Sequence, residues 1–249
     1  MRRKIVAGNW KMNNDLKEST ELVKEIIQKN NSYNCEVYVA PAFPFLNDVS
    51  VISSSSQIKV LAQNVSSKSN GAFTGEVSVD MLKSINIKSV IIGHSERRML
   101  FGEDDKTLKM KLENCFKNDM EVFFCIGETL DMREKGMQND VIENQLENTL
   151  FDLDNVDLEK LIIAYEPVWA IGTGVNANSD QVQEIHCHIR KLLNFRYGEE
   201  SSDLIPIIYG GSLKPDNSSN IFNCSDVDGG LVGGASLSSE TFIKIIDSI

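Results

Sequence analysis

The stretch Leu161-Ile162-Ile163-Ala164-Tyr165-Glu166-Pro167-Val168-Trp169-Ala170-Ile171-Gly172-Thr173-Gly174 decides how the 249-residue chain is read. Its first residues form a short apolar run of strand character that delivers a carboxylate at its end. A carboxylate where a strand stops lies at the rim of a sheet, and Pro167 blocks further pairing and stiffens the exit. Val168, Trp169 and Ile171 are too apolar for a loop that stays in water, while Gly172 and Gly174 give its far side dihedral freedom. The pattern reads as a general base beside a loop able to shut over it.

Similar apolar runs recur on both sides of this one. Candidate strands cover residues 4–8, 35–40, 59–62, 90–92, 121–125, 161–165, 205–209 and 230–232. They are nearly continuous hydrophobics, as expected of parallel strands buried on both faces. Helical stripes lie between them: Leu22, Val23, Ile26 and Ile27 after Asp15; Leu108, Leu112 and Cys115; and Val182, Ile185, Ile189 and Leu192 behind the capping candidates Asn178, Ser179 and Asp180. Strict alternation predicts a parallel sheet with right-handed crossovers. Eight units in this length fit a closed (β/α)8 barrel better than an open sheet. No low-complexity linker divides the chain, so residues 1–249 are expected to form one α/β domain.

Composition narrows the function classes. The chain is 41% hydrophobic and 24% charged, as in an ordinary globular protein. No apolar run approaches the ~18 residues of a membrane span, and the residues after Arg2, Arg3 and Lys4 are too few for a signal-peptide core. A cytoplasmic location is therefore expected, without membrane association. The net charge of −11 disfavours nucleic acid, yet a local cation and backbone amides still suffice to hold a small anion. Five cysteines with no CxxC pattern read as reduced, packed thiols. His186, Cys187 and His188 point apart if helical, so no metal is expected there.

In a barrel of this kind chemistry gathers where strands end. Those positions hold Asn9 and Lys11, Asn64, His94 with Ser95 and Glu96, Glu128, Glu166, Ser212, and Gly233-Gly234. A base, a donor, a cation and two glycine-lined turns would then converge on one mouth.

Several of these segments resemble the triosephosphate isomerase family, and the likeness runs from end to end. They are Ala7-Gly8-Asn9-Trp10-Lys11-Met12, Gly93-His94-Ser95-Glu96-Arg97-Arg98, Tyr165 to Gly174, Tyr209-Gly210-Gly211-Ser212, and Gly230 to Leu237. The resemblance implies a cofactor-free isomerase of glycolysis and gluconeogenesis that interconverts dihydroxyacetone phosphate and D-glyceraldehyde 3-phosphate through an enediolate. It makes Glu166 the base and His94 the donor to the developing oxyanion, with a following helix whose dipole disfavours imidazolium. Lys11 would supply fixed positive charge and Asn9 would hold a substrate oxygen. Glu96 would either orient Lys11 or shuttle a proton, though an ion pair with Arg98 is an equally open reading. Backbone N–H groups of Gly172, Ser212, Gly233 and Gly234 would hold phosphate. Tyr209 and Ser212 would latch the lid.

The long connection from Gln63 to Val79 would, by the same resemblance, dock into a partner subunit. Thr74 and Glu76 would anchor it, Met12 would pack against it, and the result would be a homodimer. A sugar-phosphate epimerase would need a metal-ligand set that three histidines supply poorly, and an inert scaffold would not need to keep Glu166, His94 and Lys11 together.

Overall fold

The computed structural model describes residues 2–29, 33–170 and 177–249. Eight strands close into a barrel in chain order: β1 (Ile5–Asn9), β2 (Glu36–Ala40), β3 (Ile58–Ala62), β4 (Ser89–Ile92), β5 (Glu121–Ile126), β6 (Leu161–Tyr165), β7 (Ile207–Tyr209) and β8 (Gly229–Val232). Every pairing is parallel, and the ladder from Ile5↔Gly229 to Gly8↔Val232 shuts the sheet on itself. A closed barrel has no free edge, so short strands suffice.

Alternation along the strands divides the apolar side chains into two cores. Ile5, Ala7, Tyr38, Leu61, Ile91, Phe123, Cys125, Ile162, Ala164, Ile208 and Leu231 fill the barrel interior. Their neighbours, such as Val6, Val37, Val90, Phe124 and Ile163, face outward against the helices. Burial on both faces is why the runs read as continuous rather than alternating.

The described helices are α1 (Leu16–Gln28), α2 (Leu46–Ser53), α3 (Val79–Ser84), α4 (Ser95–Phe101), α5 (Asp105–Lys117), α6 (Leu130–Glu134), α7 (Gln138–Glu147), α8 (Ser179–Tyr197), α9 (Glu199–Ser202), α10 (Pro215–Phe222) and α11 (Ser239–Ile246). Asp15 opens α1 with a capping box to Glu18, and Asn178 opens α8 with one to Gln181. The start of α8 matches the capping candidates read from the sequence. On α8, however, Leu193 rather than Leu192 is buried with Val182, Ile185 and Ile189, so the stripe turns slightly from the expected face. His186 is wholly buried there, with Nδ1 3.1 Å from the Asp226 carbonyl oxygen, and burial pushes its imidazole down to about 4.

Most strand boundaries fall within one or two residues of expectation. The largest difference is β7, which starts at Ile207 instead of Ile205. Pro206 has no N–H to offer a ladder and contributes only its carbonyl, accepting from the Ile163 N–H at 3.0 Å. Among the described residues no helix is long and apolar enough to cross a membrane.

Candidate active site

At the C-terminal ends of the strands lies a pocket of about 280 Å³ lined by Asn9, Lys11, His94, Glu166, Gly210 to Lys214, Leu231 and Gly233 to Ala235. A more open hollow of about 670 Å³ lies at the opposite end, among Ser53, Lys59, Ser89 and Glu121. Two of its lysines are already taken, Lys59 by Glu36 and Lys160 by Asp119, so the smaller pocket holds the chemistry.

Glu166 is only 2% exposed. Its main chain continues the β6 register, with the Glu166 N–H donating to the Ile126 carbonyl at 2.8 Å. One carboxylate oxygen, Oε2, accepts the Ser95 N–H at 2.8 Å. The other, Oε1, stands 3.0 Å from His94 Nε2 but without the alignment of a hydrogen bond, and has no partner among the described residues. A buried carboxylate with one satisfied and one unsatisfied oxygen is costly as a structural element and suited to a proton acceptor.

His94 is the N-cap of α4, and its Nδ1 accepts the Glu96 N–H at 3.2 Å. An accepting nitrogen carries no proton, so the ring proton sits on Nε2, which faces Glu166 and the pocket. Backbone geometry thus sets the tautomer without help from a second side chain.

Lys11 follows β1 and sits in left-handed backbone, at φ 53°. That conformation strains a residue with a Cβ. The Asn9 carboxamide oxygen accepts the Lys11 N–H at 3.0 Å, and Gln63 Nε2 donates to the carbonyls of both Lys11 and Ala40 at 2.8 Å. These bonds aim the side chain across the mouth, where Nζ meets Glu96 Oε1 at 2.6 Å. Of the two partners open to Glu96, the geometry selects Lys11, because Arg98 pairs with Asp105 at 2.7 Å.

Ser212, Gly233 and Gly234 line the side of the pocket opposite His94, and Gly234 begins a short 3-10 helix to Leu237. Gly172 lies outside the described residues, as do Val175 and Asn176 of the far hinge. Tyr209 is buried at the end of β7, and burial raises its phenol above the ordinary value.

Four strand-end residues do not line the pocket: Ser95 and Glu96, which bond Glu166 and Lys11, and Asn64 and Glu128. Asn64 turns outward, its Oδ1 accepting from Lys111 Nζ at 2.8 Å, while its neighbour Gln63 takes the inward place. Glu128 is fully buried beneath the lid's entry. Its Oε1 accepts from Tyr165 Oη at 3.0 Å, Trp169 Nε1 at 2.8 Å and Arg133 at 3.2 Å. Strand-end position alone could have pointed to Gln63, whereas nothing in sequence spacing marks Arg133 or Gln145 as neighbours of this region.

The triosephosphate isomerase family model matches residues 4–249. The chain is 45% identical over 251 residues to the triosephosphate isomerase of Flavobacterium psychrophilum, and 46% identical over 250 residues to that of Porphyromonas gingivalis, with full coverage of both partners in each case. Against the Clostridium tetani triosephosphate isomerase it is 45% identical over 247 residues, covering 99% of this chain and 97% of that one. Barrel and relatives together define a (β/α)8 isomerase. Within that class, identity at this level over the whole length leaves one assignment, and the chain belongs to the triosephosphate isomerase family.

Proposed function

We propose that this chain interconverts dihydroxyacetone phosphate and D-glyceraldehyde 3-phosphate by moving one proton on and off Glu166, serving both glycolysis and gluconeogenesis. The observation that carries this reading is Oε1 of buried Glu166, which has no hydrogen-bond partner among the described residues and stands 3.0 Å from His94 Nε2 in a pocket that Lys11 also lines. With the ketose bound, Oε1 takes a proton from carbon 1. The electrons of that bond form the carbon–carbon double bond, and the carbonyl oxygen at carbon 2 becomes an oxyanion. His94 Nε2–H donates to that oxygen where charge develops, which lowers the barrier more than it stabilises the ground state. Glu166 then returns a proton to carbon 2 while the hydroxyl at carbon 1 gives its proton, by way of His94 Nε2, to the oxygen on carbon 2, leaving an aldehyde at carbon 1 and a hydroxyl at carbon 2.

Lys11 and Asn9 hold substrate oxygens, and backbone N–H groups of Ser212, Gly233, Gly234 and Gly172 receive the phosphate. Closure of the loop after Glu166, latched by Tyr209 and Ser212, excludes water and keeps the enediolate from expelling phosphate. No cofactor takes part in this scheme. Glu96 keeps Lys11 in place.

We further infer a cytoplasmic enzyme that works as a single domain and pairs as a homodimer. Met12 is 95% exposed, and Phe73, Met81, Met99, Leu100 and Phe101 are also exposed. So large an exposed apolar set supports burial against a second copy through the connection from Gln63 to Val79. Sedimentation at micromolar concentration is expected to give a dimer; an active monomer would contradict it. For the activity, a coupled assay on glyceraldehyde 3-phosphate with a metal chelator present should show full turnover. No turnover, or turnover lost on chelation, overturns the reading.

A further inference from the structure

Behind Glu166 lies a small hollow of about 150 Å³, separate from the substrate pocket and walled by Ser95, Gly127, Gln145, Val168 and the carboxylate itself. Gln145 belongs to α7, on the outer layer of the barrel, and is not among the residues lining the substrate pocket. Its carboxamide makes two bonds to a single residue. Oε1 accepts the Gly127 N–H at 2.9 Å, and Nε2 donates to the Gly127 carbonyl at 3.0 Å. A side-chain amide offers donor and acceptor together, so it can satisfy both backbone groups of a residue that has run past its strand. Gly127 is such a residue, one position beyond the end of β5.

Gly127 is also the wall against which the base's main chain rests. A Cβ on Gly127 would fall 1.7 Å from the Glu166 carbonyl oxygen, so the two backbones are in direct contact. On the other side stands Gly210, where a Cβ would fall 2.8 Å from Glu166 Cγ. Glu166 is thus held between two glycines. The Gly210 side is fixed by its own N–H, which donates to the Tyr165 carbonyl at 2.7 Å. The Gly127 side is fixed by Gln145.

We propose that Gln145 is a positioning residue for the isomerisation: by clamping both backbone groups of Gly127 it sets how far Glu166 stands from the reacting carbons. This rests on Glu166 being the base. Loss of the clamp lets Gly127 drift into the hollow and the base follow it. Of the groups proposed to hold phosphate, Ser212 lies beyond β7 and Gly233 and Gly234 lie beyond β8, away from the clamp, so those contacts are spared.

A double-mutant cycle of Gln145→Met with Glu166→Asp tests this, with kcat and KM for glyceraldehyde 3-phosphate and the inhibition constant of inorganic phosphate as readouts. Methionine keeps the bulk of glutamine and removes both hydrogen bonds. Gln145→Met alone is expected to lower kcat about tenfold, since small displacements of a reacting group cost rate steeply, while KM and phosphate inhibition stay within about twofold. In the Glu166→Asp background, where the carboxylate is already withdrawn, the same change should cost less than about twofold, because residues acting through one another do not add. An unchanged kcat for Gln145→Met, an equal loss in both backgrounds, or a loss confined to KM overturns the proposal. Should Gln145→Met fail to fold, Gln145→Glu, which keeps the acceptor and loses the donor, takes its place in the same cycle under the same criteria. If Glu166→Asp alone leaves kcat unchanged, the base assignment falls and this proposal with it; a slow Glu166→Asp beside a fully active Gln145→Met overturns this proposal alone.

Discussion

Lys11 shows how much structure one side chain needs in order to act. Its backbone is in left-handed territory, and the Asn9 and Gln63 side chains hold it there through three hydrogen bonds to the Lys11 and Ala40 main chain. The reward is an ammonium delivered across the barrel mouth in a protein whose net charge is −11. Lys11→Met should raise KM for glyceraldehyde 3-phosphate roughly ten- to a hundredfold, the range expected for one lost charge-assisted hydrogen bond to phosphate. Steady-state kinetics checks this, and an unchanged KM would remove Lys11 from the binding site. At this scale the sequence is legible where a residue's type and its strand-end position agree, as for Glu166, His94 and Lys11. It fails where two neighbours compete for one inward place. Gln63 and Asn64 are adjacent, both carboxamides, and only the twist of the chain after β3 decides which faces Lys11. Glu96 had two possible partners for the same reason, and distance alone separates Lys11 from Arg98.

The elements around the base are joined more tightly than strand pairing requires. β5 and β6 share a five-residue register from Val122↔Leu161 to Ile126↔Tyr165, and beyond it Gly127 touches the Glu166 backbone. Beneath the lid's entry, Glu128 gathers Tyr165, Trp169 and Arg133, and the Arg133 guanidinium lies 5.2 Å from the Trp169 ring centre. The anchored end of the lid is therefore tied to β5, β6 and α6 at once. Gly127→Ala places a methyl where the Glu166 carbonyl already stands, so it should lose at least about 2 kcal/mol of stability together with kcat. Urea unfolding measures the first, and a variant with the parent's stability would mean that the two backbones part easily. Periodicity identifies these elements because burial on both faces leaves only apolar residues in the strands. It misses what binds them to one another: the clamp from Gln145 is 18 residues from Gly127, and no repeat in the sequence relates them. Pro206 was legible in principle, since a missing donor forbids an early start to β7.

For the whole molecule, the two ends of the barrel do different work. At the C-terminal end one Glu166 carboxylate oxygen has no hydrogen-bond partner among the described residues, whereas the N-terminal end is tied together by charge pairing. Arg3 reaches Glu36 at 2.6 Å and Glu121 at 2.7 Å, Lys59 reaches Glu36 at 2.6 Å, and Tyr38 Oη donates to Glu121 at 2.8 Å. Burial alone would raise the Glu36 carboxyl, but the hydrogen bonds from Arg3 and Lys59 outweigh it and hold it at about 2, against 4.5 in an unfolded chain. The unfolded state then binds the extra proton between those values, so the stability Glu36 contributes is complete above about pH 4.5 and is lost as pH falls toward 2. Denaturant unfolding at pH 5 and pH 3 should show a smaller loss for Glu36→Gln than for the parent; equal losses would mean that the bottom network does not govern acid stability. None of this network was visible in composition, because its members come from β2, β3, β5 and the residues before β1, and meet only once the barrel closes.

Proton transfer through Glu166 is the claim on which the rest depends. Dihydroxyacetone phosphate converted in D2O, followed by proton NMR, reports it directly. The parent enzyme should yield glyceraldehyde 3-phosphate carrying deuterium at carbon 2, since a proton held on a carboxylate exchanges with solvent before it returns. Glu166→Gln should abolish both conversion and deuterium incorporation while still binding inorganic phosphate. Conversion and incorporation at the parent's rate in Glu166→Gln would contradict the account.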